Sequence, residues 1–312
     1  MKKVLIISTN AIGDAYLSAS AIDTLKNIYK EIIIDFVVNT SSGFFVKELD
    51  INEFFFIKQK SIAEVFDIIS RIRKCKYDFV FTFFPGLVNT IVFKSSRAEV
   101  KSGFINFRKI SNWYNINQRL YISGRDSKDL FWYPEMNYLD RIKIVLSGAG
   151  ITIKNMKKIT FPNLLPGFEK DDSVLLHFSS RTQERVLNYE LVEKLISYLC
   201  NELNLKANVI GTEKELSGLD IRESKLTLIP SPDLKMLIEL MLKCKVFIGV
   251  DSFPIHLADA YKIKTIGIFE STNPDSVLQN KENKYILRKD TFEKIELKDI
   301  INMLENIELN DE

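Results

Sequence analysis

The sequence predicts an α/β protein of two domains, each built on a parallel sheet covered by helices on both faces. Three observations carry this. Short apolar runs, many rich in β-branched residues, recur at Val4–Ile7, Phe79–Phe83, Ser173–His177, Val246–Val250 and Thr265–Phe269. Continuous runs of this kind, without polar alternation, are strands buried on both faces. Segments of helical periodicity separate them, and a length of 312 residues suits two domains, each with a core of its own.

The first half opens with the strand Val4–Ile7 and the loop Ser8–Gly13. A helix follows from Asp14 or Ala15 to Tyr29, with Leu17, Ala21, Leu25 and Ile28 at helical spacing. Strands at Ile32–Val38 and Phe54–Ile57 precede an amphipathic helix over Ile62–Cys75. Tyr77-Asp78 leads into the strand Phe79–Phe83, and Pro85-Gly86 breaks the run before Leu87–Phe93 turns helical. A basic patch at Lys94 and Arg97 precedes Lys101-Ser102-Gly103-Phe104. Beyond it, with Arg108, Lys109, Arg119 and Arg125, the chain reads as a less regular, aromatic-containing stretch to Tyr133. That stretch is either a substrate-facing loop for an anionic acceptor or a solvated loop with scattered core aromatics. A helix over Asn137–Leu146 stops at Ser147-Gly148-Ala149-Gly150. The polar, proline-containing run Lys154–Asp172 is the linker candidate, dividing the chain into domains 1–165 and 166–312. A last helix over Lys294–Ile307 belongs either to its own domain or packs back on the first.

The second half repeats the pattern. The strand Ser173–His177 leads into the loop Phe178–Arg185 and a helix over Tyr189–Leu203. Strands at Ala207–Ile210 and Leu226–Ile229 and a helix over Asp233–Leu242 lead to the unit Cys244–Pro274, a strand–loop–helix–strand. There, Asp251-Ser252-Phe253-Pro254 places an N-cap residue and a first-turn proline at the start of a short helix. Free backbone N–H groups at a helix start between parallel strands suit a phosphate, although an ordinary crossover has the same spacing.

Composition narrows the function. A net charge of +2 does not argue for nucleic acid. No apolar run reaches the roughly 20 residues needed to span a bilayer. The apolar stretch after Met1-Lys2-Lys3 is too short for a signal peptide and meets Ser8, Thr9, Asn10 and Asp14 at once. The expected location is the cytoplasm. Three scattered cysteines (Cys75, Cys200, Cys244) and two histidines (His177, His256) support neither a disulfide framework nor a Cys/His metal site. The loop Asn10–Asp14 has one glycine, so the dinucleotide fingerprint is absent. Asp14 at a helix start is stabilised there by the macrodipole. The same place suits a general base acting on an acceptor hydroxyl. The hydroxyls and arginines of the Ser179–Arg185 loop suit a diphosphate or a solvated loop equally.

Taken in order, these motifs resemble glycosyltransferase family 9, the ADP-heptose:lipopolysaccharide heptosyltransferases and their relatives. The resemblance runs through Val4–Ala21, Tyr77–Phe104, Leu175–Arg185 (LLHFSSRTQER), Gly211–Glu215 (GTEKE), Asp251–Ala258 (DSFPIHLA) and Phe269–Pro274 (FESTNP). It implies a GT-B fold of two Rossmann-like domains facing a cleft, with inverting transfer that uses no metal and no cofactor beyond the ADP-sugar or other nucleotide-sugar donor. Asp14 then matches the catalytic base. Ser179, Ser180, Glu215, Asp251, Ser252 and His256 match donor-binding positions, with Phe253 inside the diphosphate loop. The acceptor would be a lipopolysaccharide-core or other cell-envelope glycan hydroxyl. Contact with the inner face of the membrane is an accompanying expectation. Lys58, Lys60, Lys94, Arg97, Lys101 and Arg108 are available to acceptor phosphates, but no role carries across to them.

Three positions depart from the family pattern. Glu184-Arg185-Val186 stands where a lysine is expected, leaving Arg185 or Arg181 to replace it. Phe253 and Glu270 stand where glycines are expected. These departures motivate an alternative, a degenerate member that binds a nucleotide sugar or glycan without turnover. A nucleotide-sugar epimerase of the same shape would need a second acid/base pair facing one sugar, which the sequence does not clearly provide.

Overall fold

The structure, a computed structural model, describes residues 1–46, 49–108, 116–122, 136–154, 156, 169–180, 186–270, 272–278 and 284–307. The chain divides into two compact units, Met1–Ile159 and Thr160–Glu312.

In the first unit, β1 (Lys2–Ser8), α1 (Ile12–Ile28), β2 (Ile32–Asn39), the short α2 (Gly43–Val46), β3 (Glu53–Ile57), α3 (Ile62–Ile72), β4 (Tyr77–Thr82), α4 (Leu87–Ser95), β5 (Ala98–Arg108), β6 (Ile116–Ile122) and α5 (Tyr138–Gly148) follow in order. The strands align as β3-β2-β1-β4-β5-β6. All pairings are parallel except β5 with β6. This pair corrects the sequence reading of an irregular stretch. Neither strand is a continuous apolar run, and β6, at the sheet edge, needs only one partner.

Helix starts follow their caps. Ser61 and Glu64 form a reciprocal capping box on α3, and Asn137 accepts the Leu139 N–H at the start of α5. α1 begins at Ile12, before Asp14, with Ala11 as an N-cap that lacks a side-chain bond. Beneath the sheet, Asp35 is wholly buried yet satisfied. Lys3 Nζ lies 3.3 Å away, Tyr77 donates at 2.9 Å and Asn52 donates at 2.7 Å.

The second unit comprises β7 (Ser173–His177), α6 (Tyr189–Ser197), β8 (Lys206–Gly211), the short α7 (Glu213–Leu216), β9 (Leu226–Pro230), α8 (Leu234–Lys243), β10 (Val246–Val250), α9 (Phe253–Ala260), β11 (Thr265–Phe269), β12 (Lys284–Arg288) and α10 (Leu297–Glu305). The strand order is β12-β11-β10-β7-β8-β9, parallel throughout. α6 continues into a π turn over Tyr198–Glu202 rather than running on as one α-helix. β12 escapes the sequence reading because Tyr285 and Ile286 are its only apolar neighbours before Leu287. α10 packs on the sheet of its own unit, where Ile300 and Leu304 join the core of β7, β8 and β10.

Candidate functional site

In each unit the strand order reverses once. In the first, β1 and β4 neighbour each other; in the second, β7 and β10 do. Beyond the carboxyl ends of such a strand pair the two outgoing loops diverge and leave a crevice, the usual place for a ligand on an open α/β sheet.

At the first reversal, the loop after β1 is stitched to the loop after β4. The Thr9 amide and hydroxyl both donate to Asn89 Oδ1, at 2.8 and 2.7 Å, and Asn89 Nδ2 donates to the Phe84 carbonyl at 2.9 Å. Asn10 Nδ2 donates to the Pro85 carbonyl at 3.1 Å. Gly86 leaves room for this. A Cβ there would lie 2.5 Å from Asn10 Oδ1.

Asp14 stands in the first turn of α1, framed by this scaffold. It accepts hydrogen bonds from the Asn10 side chain and the Ala11 backbone, so capping is part of what it does. Crowding by protein nevertheless pushes its carboxyl up to about 6, against the pull of Asn10, Arg141, Ala11 and Lys60. A carboxylate titrating there remains a base at neutral pH and is more basic than an ordinary one.

Arg141, on α5, was not singled out by the sequence reading. It is buried, lies over the Phe84 ring at 5.9 Å, and is lowered to about 10 by burial despite the attraction of Asp14. Its one sequence signal is a basic residue on the inward face of an otherwise apolar helix flank. Asn89 was also missed, because an Asn in a first helical turn reads as capping. Lys60, at the β3–α3 turn, faces the same carboxylate from a left-handed backbone position (φ 55°). Lys94, Arg97 and Lys101 do not join it. They lie at the amino edge of the sheet, where Lys101 Nζ donates to the Phe93 and Lys94 carbonyls at the end of α4.

At the second reversal, His177 ends β7 and Ser252 follows β10. Ser252 Oγ lies 2.9 Å from His177 Nδ1. Burial lowers His177 to about 4, only partly offset by Glu215, so the imidazole is neutral at pH 7. Glu215 forms a capping box with Thr212 on α7 and also accepts from Ser179, and these bonds hold its carboxyl low. Ser179 and Asp251 are buried, and Ser180 is partly so.

The predicted helix start is confirmed one residue earlier than Pro254. Ser252 is the N-cap of α9 and makes no side-chain cap bond, Phe253 is the first helical residue and partly exposed, and Pro254 is the second. His256, one turn on, is buried. The structure therefore brings Ser179, Glu215, His177 and Ser252 together at one sheet edge, with Asp251, Phe253 and His256 on the adjoining helix start. Arg181 and Arg185 lie outside the described residues.

Glu270 lines a cavity of about 690 Å³ with Glu190, Glu293 and Glu296, beside α6. Among the described residues no group of three or more His, Cys, Asp or Glu side chains is arranged to hold a metal ion. No described helix is long and apolar enough to cross a membrane.

Residues 212–305 match the family model described as glycosyltransferase family 9 (heptosyltransferase). No curated protein matches the chain in sequence. Among solved structures, a glycosyltransferase of family 9 from Veillonella parvula superposes with a TM-score of 0.76 at 15% identity, covering 98% of this chain and 96% of that one. The E. coli heptosyltransferase WaaC with ADP gives 0.70 at 15% identity, covering 97% and 99%. A UDP-GlcNAc 2-epimerase from Methanocaldococcus jannaschii gives 0.55 at 13% identity, covering 99% and 94%. The fold is thus the GT-B fold, which transferases and epimerases share. The family match, together with the motif order, bears out the resemblance to family 9 and the glycosyltransferase class.

Proposed function

With its carboxyl-terminal segment matched to a glycosyltransferase family, the chain is read as a nucleotide-sugar-dependent transferase, and we propose that it works by inverting transfer with Asp14 as the general base. The donor is an ADP-heptose or a related nucleotide sugar. The acceptor is a hydroxyl of a lipopolysaccharide core or another cell-envelope glycan, and the reaction belongs to the cytoplasmic face of the membrane.

In this reading Asp14 accepts the proton of the attacking hydroxyl as the sugar's bond to the diphosphate breaks. A carboxylate raised to about 6 carries the reading, because it is ionised at pH 7 and more basic than an ordinary aspartate. Arg141 and Lys60 keep it from rising further. Asn10 and the Ala11 amide orient it.

The leaving diphosphate is assigned to the start of α9, where N–H groups and the positive helix end favour an anion. Ser252 and Ser179 supply hydroxyls. The neutral His177 orients the Ser252 hydroxyl without adding charge. Arg181 and Arg185 are proposed to supply the cation that the missing lysine would have given. Preorganised donors of this sort supply the leaving-group stabilisation that a metal ion supplies elsewhere.

The test is transfer from ADP-heptose and ADP-hexoses to a lipopolysaccharide-core acceptor, with Asp14→Asn alongside. The expected result is turnover in the native chain, loss of about 1,000-fold or more in the variant, and donor affinity within a factor of about two. Native-like turnover by Asp14→Asn would refute the base role. The second reading, a donor-binding member without turnover, draws on Phe253 at the first position of α9, where a glycine would let phosphate approach the backbone. Calorimetric binding of ADP-sugar with no product from any donor–acceptor pair would favour it.

A further inference from the structure

We propose that His177 is a positioning residue whose Nδ1 carries the ring proton, and that this tautomer fixes Ser252 as a hydrogen-bond donor to the leaving diphosphate. The inference rests on the assignment of that diphosphate to the start of α9.

A serine at a helix N-cap ordinarily turns its oxygen to an N–H of the first turn. Ser252 is the N-cap of α9, yet its side chain makes no cap bond. Two other groups claim the hydroxyl. Its Oγ lies 2.9 Å from His177 Nδ1 and 3.2 Å from the Val250 carbonyl. A hydroxyl has one hydrogen to give, and a carbonyl oxygen can only accept. The hydrogen therefore goes to Val250, and in the shorter contact Nδ1–H donates to Oγ. Burial keeps the ring neutral at pH 7, so Nε2 is then bare. Glu215 acts on the ring through space and would draw the proton to Nε2 if the two were bonded. Its carboxylate is instead committed to the Thr212 amide, at 2.6 Å, and to Ser179.

The tautomer decides whether Ser252 attracts or repels an anion. With Nδ1 protonated, the hydroxyl exchanges its long bond to Val250 for one to a phosphate oxygen, while Nδ1–H stays in place. Each link polarises the next, from ring to hydroxyl to phosphate. With Nε2 protonated, Nδ1 would take the hydroxyl hydrogen, and Ser252 would turn lone pairs toward the diphosphate. The same contact holds Oγ away from capping α9, so the side chain does not compete with a ligand for the first-turn N–H groups.

The chain has two histidines, His177 and His256, so the signals of labelled imidazole nitrogens are assigned in NMR by difference from His177→Asn. At neutral pH the His177 proton is expected on Nδ1, and a proton on Nε2 overturns the proposal. Calorimetry with ADP and with adenosine tests the link to Ser252. His177→Ala and Ser252→Ala should each weaken ADP binding about tenfold. The double variant should lose no more than either single one, because His177 acts through Ser252. Adenosine, which has no diphosphate, should bind all three variants as it binds the native chain. His177→Asn places an amide N–H near the position of Nδ1–H and should hold ADP within about threefold of native. Additive losses, an equal loss of adenosine, or no rescue by asparagine overturns the proposal. ADP binding indifferent to His177 overturns it as well and leaves the donor reading intact. A native chain that binds no ADP refutes the donor reading, and this inference with it.

Discussion

Asp14→Asn is expected to stabilise the fold while abolishing transfer. The carboxyl titrates at about 6 in the folded chain against an ordinary 3.8, with burial as the main cause. A raised carboxyl disfavours the folded state once it ionises. Below pH 3.8 the group is protonated whether the chain is folded or not, and it costs nothing. Between 3.8 and about 6 the unfolded chain ionises first, and the folded state loses ground as pH rises. Above about 6 the full penalty is present, about 3 kcal/mol from the two-unit difference.

Asparagine has no charge to bury and keeps an oxygen for the Ala11 N–H. Because Asp14 is partly exposed, a gain of about 1–3 kcal/mol is expected near pH 8, shrinking toward zero near pH 4. Urea unfolding of both proteins across this range measures the gap. Equal stability near pH 8, or a gap that does not change with pH, would refute the assignment of burial as the cause. The same titration predicts that kcat/KM of the native enzyme falls with acid below about pH 6, since only the ionised carboxylate accepts a proton.

Other changes probe the scaffold. Gly86→Ala drives a Cβ to 2.5 Å from Asn10 Oδ1, which should displace the side chain that bonds Asp14. A roughly tenfold loss of kcat with little change in donor affinity is expected, and unaltered kinetics would show that Asn10 does not position the base. Lys3→Met leaves the wholly buried Asp35 without the ammonium 3.3 Å away and should cost about 3 kcal/mol in denaturant unfolding. Adding Asp35→Asn should recover part of that loss, and additive losses would argue against the pair. Phe253→Gly should tighten ADP binding about tenfold if the ring crowds the phosphates, and calorimetry reads the shift directly. In the native chain a thiol reagent should label Cys75, which is partly exposed, well before the buried Cys200 and Cys244.

Much of the fold was readable because buried parallel strands announce themselves locally. Val4–Ile7, Phe79–Phe83 and Val246–Val250 need no partner to be recognised as strands. Asp14 and the segments proposed to meet the donor could be singled out for a related reason, since each is a short segment with its own turn or cap chemistry. β6 and β12 were not readable. Both are edge strands whose few apolar residues stand beside polar ones, so their local signal is weak, unlike the edge strand β3 with its run of three phenylalanines. The π turn after Ser197 was equally hidden, because its sequence keeps helical spacing.

The sequence by itself determined the alternation of strands and helices, the division into two units and the ordered motifs of a glycosyltransferase family. Only the tertiary structure decided which residues meet. Ser252 reaches His177 across 75 residues, and Asn89 holds Thr9 across 80. Arg141 comes to Asp14 from α5, at the far end of its unit's chain. Strand order creates these encounters. A strand's own residues specify that it is buried, whereas its place beside β1 or β7 follows from how the connecting helices pack. The reversal that puts β4 next to β1, and β10 next to β7, is therefore where the candidate site residues gather and where local periodicity is silent.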